Sequence, residues 1–329
     1  MPQEATAPSR SPDANGLDFV LPPGAFRLLL AAGVLVSHIS GIDIGRLAVM
    51  LFFYLSGYWT ALIWRRKFGG SALLRYYAAR YLRVWPLFFV ATVAAGLARG
   101  LPLHLENWTL FGVGATHRDP TGVSWSLDVE VQFYLLLPFV VAALGRLSLA
   151  AGLALTLAVG ACGCWLAQAF DVLTVAKYLP AFVLGSLTFT RSWTPGRRTA
   201  GVSLLAFGLV TVLTGFTPFL SKASPDPFDQ DIYAFFWMLP LLPYVAHSLT
   251  RRSSALDRHL GNLSFPLYLV HFPLIALARV HFGDSEVVKL AAAGVACVVA
   301  VTLYVAIDRP IDRLRVWLTE RPSPAPARA

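Results

Sequence analysis

The chain has 329 residues, of which 56% are hydrophobic and only 14% charged, and its mean hydropathy is +0.61. Soluble proteins carry roughly 25% charged residues, so the pair of water-soluble domains that the length alone would allow is excluded. The net charge of +9 does not argue for a nucleic-acid partner, because the cations fall between long apolar runs, where they read as membrane topology.

Residues 1–24 are rich in Pro, Ala and charged side chains and lack the basic start, apolar centre and small-residue cleavage site of a signal peptide. They read as a disordered cytoplasmic tail, and so do residues 317–329, which end in "RPSPAPARA". Residues 25–316 between them form one membrane domain. Runs of about 20 apolar residues can cross a bilayer. Candidate spans fall at 26–42, 45–64, 81–99, 127–145, 149–168, 173–190, 201–219, 231–249, 262–281 and 287–307. The predicted fold is therefore all-α: a polytopic integral membrane helical bundle of about ten transmembrane helices. With both termini inside, twenty of the 27 Lys and Arg residues lie on the cytoplasmic side and six on the outer side, and Lys177 lies within a span. That asymmetry predicts a multi-pass protein of the cell membrane with cytoplasmic termini. It places the long 99–126 connection near the outer face. Cys162, Cys164 and Cys297 sit in apolar runs without metal-ligand spacing. They read as small buried hydrophobes, and no metal site is expected.

Ionisable residues inside spans are costly and invite a functional reading. Span one, "FRLLLAAGVLVSHIS", carries Arg27 and His38. Eleven residues at about 100° each return to nearly the same helix face, about 16 Å along the axis. A snorkelling arginine and a histidine bonded within the bundle would explain them equally well. Span two contains "LFFYLSGYW", where Ser56 and Gly57 let a neighbouring helix approach closely. Span three opens "LRYYAARYLRVWP". Its Arg75, Arg80 and Arg83 are either an anchor for lipid headgroups or a clamp for an anionic ligand. Span four begins "WSLDVEVQFYLLLP". Asp128 suits the positive end of a helix dipole. Glu130 shares a face with Ser126 and Tyr134 and reads as either a second such charge or a site. Span nine, "LGNLSFPLYLVHFPL", inserts Asn262, Ser264, Tyr268 and His271 into an apolar helix, with Pro266 and Pro273 as kinks. Span ten ends "LYVAIDRPIDRLR", where a local ion pair with Arg309 would account for Asp308.

Taken in order, these segments resemble the acyltransferase 3 family of integral membrane acyltransferases. Arg27 and His38 match its Arg-x10-His signature. "FFYLSGYW" is similar to its Phe-Phe-x-x-Ser-Gly segment and "RYLRVWP" to its Arg-x-x-Arg-x-x-Pro segment. "WSLDVEVQFY" resembles its Trp-Ser-Leu-x-x-Glu-x-x-Phe-Tyr signature, and "LGNLSFPLYLVH" its late Leu-Gly-x-x-Ser-x-x-x-Tyr-Leu-x-His segment. The likeness covers about residues 24–316. It departs in two places. "PPGAF" stands where an acidic residue often precedes the arginine, and Asp308 stands where Glu is usual.

The resemblance implies acyl transfer, with acetyl-CoA or another acyl-CoA as co-substrate and no bound cofactor. The acceptor would be a hydroxyl of a cell-surface glycan, a lipid-linked oligosaccharide or a related molecule. Arg27, Arg80 and Arg83 would bind the phosphates of CoA. His38 would act as general base or carry the acyl group transiently. Glu130 would face His38 across the bundle. Ser56, Trp125, Ser126, Tyr134, Tyr268 and His271 would support the acceptor or the catalytic pair. The competing reading is a secondary transporter or flippase, which also suits intramembrane His and Arg, although no internal repeat supports it.

Overall fold

A computed structural model describes residues 19–69, 72–214 and 227–319. Within these residues the fold is helical and no β-strand is present. The helices are α1 (Pro23–Ile39), α2 (Gly45–Ile63), α3 (Leu73–Arg99), α4 (Leu105–Thr109), α5 (Val113–Thr116), α6 (Trp125–Arg146) and α7 (Leu149–Phe170). They continue as α8 (Val175–Thr190), α9 (Arg197–Thr214), α10 (Pro227–Met238), α11 (Leu242–Ser248), α12 (Ala255–Phe282), α13 (Glu286–Leu303) and α14 (Arg309–Thr319). Every predicted span has a helical counterpart, but residues 215–219 of the seventh lie outside the described residues.

Among the described residues, six helical stretches are both long and apolar enough to cross a membrane: Gly45–Phe68, Leu73–Arg99, Trp125–Arg146, Leu149–Phe170, Ala255–Phe282 and Glu286–Leu318. Helices α1 and α8 are apolar but shorter, at 17 and 16 residues. At 1.5 Å per residue they reach about 25 Å, less than the ~30 Å hydrocarbon core. The eighth predicted span is not one helix. A 3-10 turn at Leu239–Leu241 separates α10 from α11, with Pro240 inside it and Pro243 just after. Among the described residues, length and hydropathy mark six candidate crossings, and the expected count of about ten is not confirmed by them.

Close crossings of small residues hold the bundle together, as expected where apolar burial cannot drive helix association. A Cβ on Gly57 would lie 2.0 Å from the Phe182 carbonyl oxygen, and one on Gly185 only 1.8 Å from that of Tyr54, so α2 and α8 touch backbone to backbone. Gly24 and Gly261 let α1 and α12 cross in the same way. The acid missing before Arg27 is supplied from elsewhere: the Gly24 and Ala25 amides donate to the Asp257 carboxylate of α12 at 3.1 and 2.7 Å. A carboxylate across the first turn satisfies orphan N–H groups and faces the positive helix end.

The described residues reach into both predicted tails. The Leu21 amide donates to Tyr244 Oη at 3.0 Å, Ser248 Oγ donates to the Leu21 carbonyl at 2.6 Å, and Val20 is buried. Residues 317–319 continue α14. The remainder of the two predicted tails, 1–18 and 320–329, lies outside the described residues. The cysteines also differ from expectation: Cys162 and Cys297 are exposed and Cys164 half-buried. They share the outer surface with Leu155, Trp165, Val298 and Val301, a surface suited to lipid.

Gly185→Val is expected to cost at least ~1–3 kcal/mol, because the new side chain has only backbone to displace. A lowered melting temperature in detergent, with Gly145→Ala as a control at an open position, checks this.

Candidate active site

Two cavities lie along the bundle. The first, of about 310 Å³, is lined by Arg27, Arg80 and Arg83 together with Ser56, Ser126, Glu130, Tyr134 and Tyr268. Eight of the eleven residues singled out from the sequence therefore meet in one place. Glu130 Oε1 accepts hydrogen bonds from Ser56 Oγ at 2.5 Å and from Tyr134 Oη at 2.6 Å. Ser56 is thus a polar group of the site, while its neighbour Gly57 provides the close helix approach. The Arg80 guanidinium stands over the Tyr134 ring at 5.8 Å, a cation–π contact, and its Nε is buried without a hydrogen-bond partner. Arg27 feels Glu130 and Asp308 as opposite charges and Arg83 as a like charge.

Arg83 is tied to Asp308, with Nη1 to Oδ1 at 2.8 Å. The local pair of Asp308 with Arg309 expected from sequence gives way to this contact between α3 and the end of the α13 segment. Arg309 is exposed, whereas Arg83 is a cation inside the bundle that needs a counter-charge.

The second cavity, of about 780 Å³, lies at the other end of α1. It is lined by His38, Trp125 and Tyr268 with Asp43, Arg46, Asp119, Lys177 and Asp231 among others. Arg46 bridges Asp43 at 3.0 Å and Asp231 at 2.7 Å. Lys177 pairs with Asp231, which also accepts from Tyr178 Oη at 3.1 Å. These groups were not singled out as site residues, since the predicted acceptor contacts were all drawn from the family segments. The His38 ring packs against His271 and Phe272, with centroids 5.1 and 4.8 Å apart. His271 is fully buried. Its Nδ1 is 3.1 Å from the Leu267 carbonyl, and its Nε2 has no hydrogen-bond partner.

The structure separates Glu130 from His38. Trp125 opens on the cavity that holds His38, whereas Glu130, five residues or about 7.5 Å further along α6, opens on the arginine cavity. Ser56, its partner, is eleven residues past Gly45, and Gly45 packs beside Ser37 at the His38 end. Glu130 therefore shares a level with Arg27 rather than with His38. Tyr268 lines both cavities and forms the wall between them. Its Oη lies 2.7 Å from Ser126 Oγ and donates to the Val123 carbonyl at 3.2 Å.

Asp128 serves structure. Fully buried, it accepts from the Gly114 amide at 2.9 Å and from Gln132 Nε2 at 3.0 Å. Asp119 takes over the helix start: its carboxylate accepts from the Thr121, Gly122 and Trp125 amides and from the Thr121 and Ser124 hydroxyls at 2.5–3.1 Å. This cap fixes where α6 begins, and so where Trp125, Ser126 and Glu130 point.

A family model described as an acyltransferase domain matches residues 18–308. The chain belongs to this acyltransferase family. No curated protein and no solved structure matches the chain. The match makes this a membrane protein of an acyltransferase family and ends at Asp308, so α14 falls beyond it. Helix α14 nevertheless lines the arginine cavity through Asp312 and Arg315, neither of which was singled out from the sequence. The signal was present: residues 308, 312 and 315 share a helix face.

Asp308→Ala in this acyltransferase would strand the Arg83 cation. The expected cost is about 3–5 kcal/mol, read as a lower melting temperature. Arg83→Met combined with Asp308→Leu should recover much of the loss.

Proposed function

We propose that this acyltransferase moves an acyl group, most simply acetyl, from a cytosolic acyl-CoA to a hydroxyl of a cell-surface glycan, a lipid-linked oligosaccharide or a related acceptor. One observation carries the reading: a guanidinium-rich cavity and a cavity holding His38 lie at opposite ends of α1, with Tyr268 as their common wall. Arginine forks match phosphate oxygens, so the first cavity suits the nucleotide end of CoA. The pantetheine arm then runs along α1 past Ser56 and Glu130 towards Tyr268, a distance set by the eleven residues, about 16 Å, between Arg27 and His38. The second cavity mixes carboxylates, ammonium and guanidinium groups with the aromatic rings of Trp125 and Tyr178, a lining that suits a polyhydroxylated acceptor.

In this reading His38 takes the proton of the acceptor hydroxyl as its oxygen attacks the thioester carbonyl. The carbon–sulfur bond breaks, and the CoA thiolate receives the proton that His38 carries. Glu130 acts in the donor cavity, where Ser56 and Tyr134 fix its orientation, and offsets the charge of Arg27. His271 and Phe272 hold the His38 ring. The positive-charge asymmetry puts the arginine cavity on the cytoplasmic side and the His38 cavity on the outer side of the cell membrane.

His38→Ala should lower transfer from labelled acetyl-CoA in vesicles by at least about 100-fold, while leaving membrane insertion intact. Wild-type turnover in that variant would remove His38 from the chemistry. Arg27→Ala should raise the KM for acetyl-CoA about tenfold or more, and an unchanged KM would place the donor elsewhere.

A further inference from the structure

Helix α14 has its burial the wrong way round for a water-facing helix. Arg315 is 8% exposed, while Leu314, Trp317 and Leu318 are each about half exposed. The apolar side chains face outward, as they would against lipid, and the arginine points into the arginine cavity. Burying a guanidinium is costly unless something inside needs it.

Among the described residues Asp312 is a partner of this arginine. Its Oδ1 accepts from Arg315 Nε at 3.1 Å and Nη2 at 2.8 Å, which fixes the plane of the fork. Among the described residues the cavity holds more cations than carboxylates in its lining. It is lined by the cations Arg27, Arg80, Arg83 and Arg315 and by the carboxylates Glu130 and Asp312. Asp308, behind them, holds Arg83. Arg80 is the least satisfied member. It is 8% exposed, has a buried Nε without a partner, and feels both Arg315 and Arg83 as like charges. Two guanidinium groups that repel one another across a cavity are brought into balance by an anion that bridges them.

We propose that Arg315, acting with Arg80, seats a phosphoryl group of the CoA donor, so that α14, beyond the family-matched region, is part of the donor site. The inference rests on the acyl-CoA reading above and adds to it the residue and the helix that recognise the phosphate. Arg315 is a binding and specificity residue in this scheme, with no part in the proton transfers.

The test is a titration of the full-length protein in detergent with acetyl-CoA and with adenosine 3′,5′-bisphosphate, the phosphate-bearing end of the donor without its pantetheine arm. Arg315→Ala is expected to weaken both by about tenfold or more. Arg315→Lys, which keeps the charge and loses the fork, should weaken both at least about threefold. Arg309→Ala, at an exposed position on the same helix, should bind as wild type. A purely structural arginine would lower the melting temperature of the free protein and leave both affinities unchanged, and that result would overturn the proposal. If Arg315→Ala does not fold, Arg315→Lys decides: wild-type affinity for the bisphosphate in that variant overturns it equally. Failure of the wild-type protein to bind acetyl-CoA at all would instead remove the donor reading, and this inference with it.

Discussion

The fold must keep charge inside an apolar bundle, and its architecture follows from where that charge finds partners. Two ionic clusters occupy the two ends of α1, and they are built differently. At the His38 end, Arg46 and Lys177 are matched by Asp43 and Asp231 among the described residues, so α2, α8 and α10 are tied together by a balanced set. At the Arg27 end, Arg83 takes Asp308 and Arg315 takes Asp312, while Arg27 and Arg80 have no ion-pair partner among the described residues. A balanced buried cluster fixes helices in register. An unbalanced one favours an anion, which supports the donor reading proposed for this end.

Two side chains line both cavities, Val49 of α2 and Tyr268 of α12. Tyr268 lies between Pro266 and Pro273, where missing amide donors loosen the helix ladder, and its hydroxyl is held by Ser126 and the Val123 carbonyl at the start of α6. That start is in turn set by the Asp119 cap. A loop carboxylate that lines the His38 cavity thus fixes the start of the helix that holds Tyr268. In the proposed reaction a donor arm in the arginine cavity would reach His38 past Tyr268 and Val49, so the Asp119 cap would bear on that path.

The sequence made the in-helix relations legible and left the inter-helix ones hidden. Arg27 and His38 on one face, Glu130 on a face with Ser126 and Tyr134, and the helical nature of each span all follow from a period of 3.6 residues, and the structure contains them. The level of Glu130 relative to His38 does not follow from periodicity, because it depends on how far α6 descends beside α2. Asp308 finds Arg83 at a separation of 225 residues, and Asp257 replaces the acid missing before Arg27 from 232 residues away. No local pattern announces either. Among the described residues, six helical stretches have the length and hydropathy of a crossing, and the expected count of about ten is not confirmed by them. Apolar composition marks a helix as buried or lipid-facing, but α8 at 16 residues and the proline-broken α10–α11 segment show that hydropathy does not measure reach.

The last helix shows how a local irregularity can carry a distant requirement. Buried positions along α13 and beyond fall at Ala296, Ala300, Tyr304, Asp308 and, two turns later, Arg315, with the half-buried Asp312 between the last two. Steps of four residues drift by about 40° each on an α-helix of 3.6 residues per turn, so three such steps would carry Asp308 about a third of the way round, towards lipid. The segment Tyr304–Asp308 is a π turn, whose wider winding takes up part of that drift. The insertion keeps Asp308 on the face that meets Arg83 and passes the same phase on to Arg315. A second π turn, Trp64–Phe68, ends the α2 segment at the same end of the bundle. At Tyr304–Asp308 the departure from regularity turns a charged face inward from a helix whose other side is apolar.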